Sequence, residues 1–109
     1  MSEFKKYGEF VESLKVYPYT AKITYPALGL CGESGEVAEK IKKIIRDKDG
    51  VYTQEDKDEI LKELGDVLFY VTALAEDLGF TLEDVAMRNV EKLMSRKERN
   101  VIHGDGDNR

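Results

Sequence analysis

Apolar side chains recur every three to four positions over most of this chain, and no stretch alternates apolar with polar residues long enough to predict a strand. Phe4, Tyr7, Val11 and Leu14 share one face of a first predicted helix, which Ser2 can cap and which runs to about Lys15. Val16 to Thr24 reads as a connection containing the turn Tyr17-Pro-Tyr-Thr. Thr24 is the predicted N-cap of a second helix, with Pro26 in its first turn, where a missing N–H is tolerated. That helix is expected to reach about Asp47 and to stop before Asp49-Gly50. Thr53 with Asp56 three residues on forms a capping box for a third helix, which continues to Leu78 and ends at Gly79. Thr81 with Asp84 opens a fourth, ending near Lys97, and positions 101–109 read as loop or tail. The expectation is an all-α four-helix bundle in a single domain, 1–109, with helices 2 and 3 as its long central pair.

On helix 3 the apolar stripe is Ile60, Leu64, Val67, Leu68, Val71, Leu74, Ala75 and Leu78, and on helix 2 it is Leu30, Ser34, Val37, Ile41, Ile44 and Ile45. Two acidic pairs, Glu33-x-x-Glu36 and Glu63-x-x-Asp66, flank these stripes. Residues three apart on a helix lie about 60° apart around its axis, so each pair shares one face. A carboxylate beside a core costs free energy unless it is paired or bound to a cation. Antiparallel packing of helices 2 and 3 is expected to bring all four into one cleft. Gly29, Gly32, Gly35 and Gly65 surround them, at about 1 kcal/mol each relative to alanine, which suggests close approach of a ligand or another backbone. Phe69 lies off the helix 3 stripe and points to burial against a second surface.

Composition narrows the chemistry. The net charge of −5 argues against a nucleic-acid polymer or an anionic membrane as partner. No apolar run is long enough to span a bilayer, and the N-terminus lacks an apolar signal region, so a cytoplasmic location is expected. Cys31 is the single cysteine, which excludes a CxxC metal site and predicts a small buried apolar residue. The one histidine, His103, falls in the predicted tail, away from the helical Glu-x-x-His pairs that a di-iron bundle would use. Oxygen-only ligands favour Mg²⁺, with Mn²⁺ as the substitute, over zinc or copper.

The pattern Glu33-x-x-Glu36, then positions 37–62, then Glu63-x-x-Asp66 resembles the signature of the MazG-like nucleoside triphosphate pyrophosphohydrolases. The surrounding text agrees, with Gly-Glu-Ser-Gly-Glu-Val-Ala-Glu-Lys-Ile on helix 2, Lys-Glu-Leu-Gly-Asp-Val-Leu-Phe-Tyr-Val on helix 3 and Asn89-Val-Glu-Lys-Leu-Met-Ser-Arg96 on helix 4. The resemblance covers about 25–99, leaving 100–109 as a tail or lid whose Arg109 would close on phosphates. It implies an all-α fold completed as a homodimer or homotetramer. It also implies Mg²⁺-dependent hydrolysis of a nucleoside triphosphate between the α and β phosphates, giving a monophosphate and pyrophosphate. By position, Glu33, Glu36, Glu63 and Asp66 would be both metal ligands and catalytic residues, with Glu39 in an outer role. Lys92 and Arg96, one turn apart, would meet the phosphates. Asn89 and Tyr70 would bind phosphate or sugar, while Lys40 and Lys43 would balance the carboxylates. The competing function is a non-catalytic nucleotide or metal sensor on the same fold. The aromatics Tyr7, Phe10, Tyr17, Tyr19 and Tyr25 could stack on a base but are expected to pack the core.

Overall fold

The computed structural model describes residues 2–108, with the side chains of 3–108. It contains four α-helices, α1 Ser2–Leu14, α2 Thr24–Lys48, α3 Gln54–Asp77 and α4 Leu82–Glu98, and a short 3₁₀ turn, Tyr19–Ala21, in the first connection. No strand occurs among the described residues. The proposed cap at Ser2 and the proposed closure by Arg109 lie outside the described side chains.

Local chemistry sets most helix ends. Thr53 and Asp56 exchange side-chain and backbone hydrogen bonds at the start of α3, and Thr81 and Asp84 do the same at the start of α4. Both are complete capping boxes. At the end of α3, Gly79 takes a φ of +89°, while Phe80 N–H bonds to Ala75 C=O and Gly79 N–H to Glu76 C=O, a Schellman motif. α4 closes the same way with Asn100, at φ +61°, in the left-handed position.

The start of α2 departs from expectation. Its N-cap is Ile23, one residue before Thr24, and no side chain of its own segment caps it. Ile23 takes a φ of +69°, which a β-branched residue adopts only when its surroundings impose it. Its N–H donates to Asp77 Oδ2 at 3.0 Å. Asp77 also accepts from the Tyr17 hydroxyl at 2.9 Å and the Lys15 ammonium at 3.1 Å. One carboxylate at the end of α3, its side chain only 2% exposed, therefore ties down the end of α1, the first connection and the start of α2.

α2 and α3 pack most extensively, and their cross-links fix an antiparallel register. Lys48 pairs with Asp56 at 2.7 Å, Lys40 with Glu63 at 3.7 Å, Gly29 faces the Tyr70 ring, and Ile23 meets Asp77. Each step along α2 thus answers a step back along α3. α1 and α4 pack more sparsely on the outside of this hairpin. The buried apolar set is small, comprising Val11, Ile44, Ala73, Ala75 and Leu82 with Pro26 and Thr72.

Several positions expected in the core are exposed within one chain, namely Leu64, Leu68 and Leu78 on α3 and Ser34 and Ile45 on α2. Leu14 is exposed on α1, and Cys31, expected inside, is exposed as well. Ala73, expected off the core stripe, is fully buried, and nearby Phe69 is half-buried, edge-on to Tyr70 at 5.3 Å between ring centroids. Among the described residues, no helix is long and apolar enough to cross a membrane.

Candidate functional site

The antiparallel register brings the middle of α2 against the middle of α3. Glu33, Glu63 and Asp66 each place a carboxylate oxygen so that the three lie within 4.8 Å of one another. That spacing fits one small hard cation, whose opposite oxygen ligands stand about 4 Å apart. Glu36, the fourth expected member, is exposed and falls outside this group, though its charge still acts on Glu33. Partial burial, followed by the charges of Asp66, Glu63 and Glu36, pushes the Glu33 carboxyl up from its ordinary range. The cluster thus holds more negative charge than its own chain neutralises. Only Lys40 offsets it among the described ion pairs, through Glu63. The donors are all hard oxygens and the local charge is negative, so the residues present fit a divalent cation. Glu39, the outer candidate, turns instead to Lys42 at 3.1 Å and Lys43 at 4.0 Å.

An aromatic group adjoins the carboxylates. Tyr70 follows Asp66 by one turn, and its ring lies over Gly29, where a Cβ would come well under 3.0 Å from three ring carbons. Gly29 is therefore required for this packing. Gly32, Gly35 and Gly65 have nothing within 4 Å of where a Cβ would stand, so no backbone of this chain approaches them. Tyr25 stands 6.5 Å from Tyr70 and stacks on Tyr17 at 4.6 Å between centroids. Burial first, and then Tyr25, Glu33 and Asp66, raise the Tyr70 hydroxyl above its usual pKa. Tyr7 is raised by burial and then by Asp66, so α1 also delivers a phenol to this region. Of the aromatics expected to pack the core, Tyr17 and Tyr7 are half-buried, whereas Phe10, Tyr19 and Tyr25 are exposed, because the first connection and the start of α2 lie at the edge of the helix pair.

The strip on α4 is arranged separately. Asn89 and Lys92 line an open groove of about 430 Å³ with Phe80, Asp84, Val85 and Arg88. Arg96 is 5% exposed, and its Nη2 donates to the Asp107 carbonyl at 2.7 Å and to Asp107 Oδ1 at 3.0 Å. Lys92 reaches the same Oδ1 at 2.9 Å. No described ion pair joins Lys92 or Arg96 to Glu33, Glu36, Glu63 or Asp66. Arg88 was not among the expected site residues, and Asp107 was expected only as part of the tail or lid, not as a partner of the α4 cations.

An antiparallel helix pair that gathers carboxylates from both members places the protein among all-α folds with an acidic site between helices. The chain belongs to the MazG family, since the MazG nucleotide pyrophosphohydrolase domain matches residues 24–101. That span holds all four carboxylates, Tyr70 and the α4 strip. The chain is also 56% identical over 87 residues, 80% of its own length and 76% of the relative's, to the Gene 37 protein of Mycobacterium phage L5. No solved structure matches.

Proposed function

We propose that this protein is a divalent-metal-dependent nucleoside triphosphate pyrophosphohydrolase. It cleaves a ribo- or deoxyribonucleoside triphosphate between the α and β phosphates, releases the monophosphate and pyrophosphate, and serves nucleotide-pool sanitation or turnover. The observation that carries this reading is the convergence of Glu33, Glu63 and Asp66 within 4.8 Å across the α2–α3 pair of a MazG chain.

Glu33, Glu63 and Asp66 would hold the cation, Mg²⁺ or Mn²⁺, with Glu36 at the rim as a fourth candidate ligand. A divalent cation bound there supplies the positive charge that lets a polyanion approach carboxylates, and it acidifies water. One of the four carboxylates would accept the proton released by the attacking water. Lys92 and Arg96 meet charge developing on the departing pyrophosphate. Asn89 and Tyr70 position the phosphates or sugar.

The protein acts as a homodimer or homotetramer. Supporting this, Leu28, Ile45, Leu61, Leu64 and Leu68 on the central pair and Val90 and Met94 on α4 are exposed in a single chain. Its radius of gyration is 16.7 Å, against about 13 Å for a compact chain of this length.

A panel of nucleoside triphosphates incubated with Mg²⁺, with pyrophosphate release as the readout, tests the activity. Silence across the panel, with binding retained, would favour the sensor. Asp66→Asn keeps the shape and removes one charge. It is expected to lower kcat at least about 100-fold, the scale on which a lost electrostatic contact to the transition state is felt. Full activity with unchanged Mg²⁺ dependence would overturn the ligand set.

A further inference from the structure

The basic strip of α4 is occupied by the chain's own tail. Asn100 in the left-handed conformation reverses the chain, with Val101 N–H bonded to Arg96 C=O at 2.9 Å. Gly106, at φ +82°, gives a second turn that only glycine adopts without strain. The two turns lay Asp107 across Lys92 and Arg96. Its Oδ1 accepts from both cations, at 2.9 and 3.0 Å, and its carbonyl takes a further bond from Arg96.

One carboxylate facing two cations leaves positive charge over. Only Nη2 of the five-donor Arg96 guanidinium is engaged in the described hydrogen bonds. Arg88, one turn before Lys92 in the same groove, has no described ion pair. A guanidinium beside an ammonium suits the several oxygens and higher charge of a phosphate better than a lone carboxylate. Asp107 is 78% exposed at the side chain and lies outside α4, so its displacement breaks no helical hydrogen bond, whereas the Arg96 side chain is 6% exposed.

We propose that Asp107 is a built-in competitor for phosphate oxyanions, a latch that holds the α4 anion site closed until a phosphate group displaces it. The proposal deepens the functional reading above, since it concerns the strip assigned there to phosphates. It predicts that the tail of positions 101–108 is released as anion binds.

The test uses the full chain without divalent metal, so binding is read apart from turnover. Inorganic pyrophosphate is titrated calorimetrically into the wild type, Asp107→Asn and Lys92→Gln. Asp107→Asn is expected to bind about fivefold more tightly, the factor by which one such ion pair taxes a competing ligand. Lys92→Gln is expected to bind more weakly than wild type. In the wild type, saturating pyrophosphate is expected to speed amide hydrogen exchange over 101–108, and acetate at equal ionic strength is not. A nucleoside α,β-methylene triphosphate run in parallel shows whether the displacing phosphate belongs to a nucleotide or is the free anion.

Equal affinities for wild type and Asp107→Asn, an unmoved tail at saturation, or equal release by acetate would each overturn the latch. A merely structural Asp107 would give the opposite sign, because its loss would loosen the site and weaken pyrophosphate binding. The latch can fail in a chain that hydrolyses triphosphates, and can hold in one that does not, so the two readings are judged separately.

Discussion

At the scale of single residues, Asp77 bears more of the fold than any member of the acidic cluster. Burial alone would raise its pKa, but bonds from Ile23 N–H, the Tyr17 hydroxyl and the Lys15 ammonium outweigh it and hold the carboxyl below its ordinary 3.8. A depressed carboxyl stabilises the fold above its unfolded pKa and loses that contribution as pH falls through the folded value. Asp77→Asn is therefore expected to cost about 2 kcal/mol near neutrality. In urea melts the gap between the two proteins closes as pH drops from about 5 toward 2; a gap constant with pH would count against a charged Asp77. Tyr17 carries the opposite sign. Burial and then its bond to Asp77 push it up to about 12, so its contribution persists at neutral pH and is lost only as pH rises through that value. Sequence periodicity could not show the partners of Asp77, which lie 54 to 62 positions away.

At the scale of elements, the glycines of α2 divide into two kinds. Gly29→Ala drives a methyl into the Tyr70 ring and is expected to cost about 1–3 kcal/mol, less when combined with Tyr70→Leu, in a double-mutant cycle of thermal melts. Gly32→Ala meets nothing within 4 Å, so it is expected to gain up to about 1 kcal/mol from helix propensity. A loss at Gly32 would instead place another backbone against α2. The glycines were legible as a group, but only tertiary packing separates Gly29, under a ring, from Gly32 and Gly35 of α2 and Gly65 of α3, which face open space. Helix ends were legible wherever the capping chemistry is local, as at Thr53, Gly79 and Thr81. The start of α2 was not, because its cap is supplied by α3.

At the scale of the whole molecule, the all-α class and the approach of Glu33, Glu63 and Asp66 were readable from helical period and an antiparallel pair, whereas Glu36, expected as a fourth member, stands outside the group. The expected burial of Leu64, Leu68 and Ile45 was not met. A periodic stripe records that a face will be covered, without saying by which chain. If the proposed oligomer covers this face, Leu68→Arg is expected to weaken that association about tenfold or more while leaving the circular dichroism of the helices intact. Sedimentation equilibrium provides the measurement, and an unchanged mass would remove this face from the subunit interface. Asp107 was unreadable for another reason, as a tail without periodicity reveals its contacts only once Asn100 and Gly106 have turned it back.

The cap of α2 by Asp77 also bears on the order in which the chain assembles. α3 and α4 carry their own start signals and can nucleate as isolated segments, whereas the first turn of α2 has no stop against fraying until the far end of α3 arrives. That turn carries Tyr25 and leads into Gly29, so the aromatic wall beside the carboxylates is expected to form after the transition state. Asp77→Ala should then accelerate unfolding far more than it slows refolding, giving a low φ-value in stopped-flow chevrons. A φ-value near one would mean instead that the join between α1, α2 and α3 is the folding nucleus.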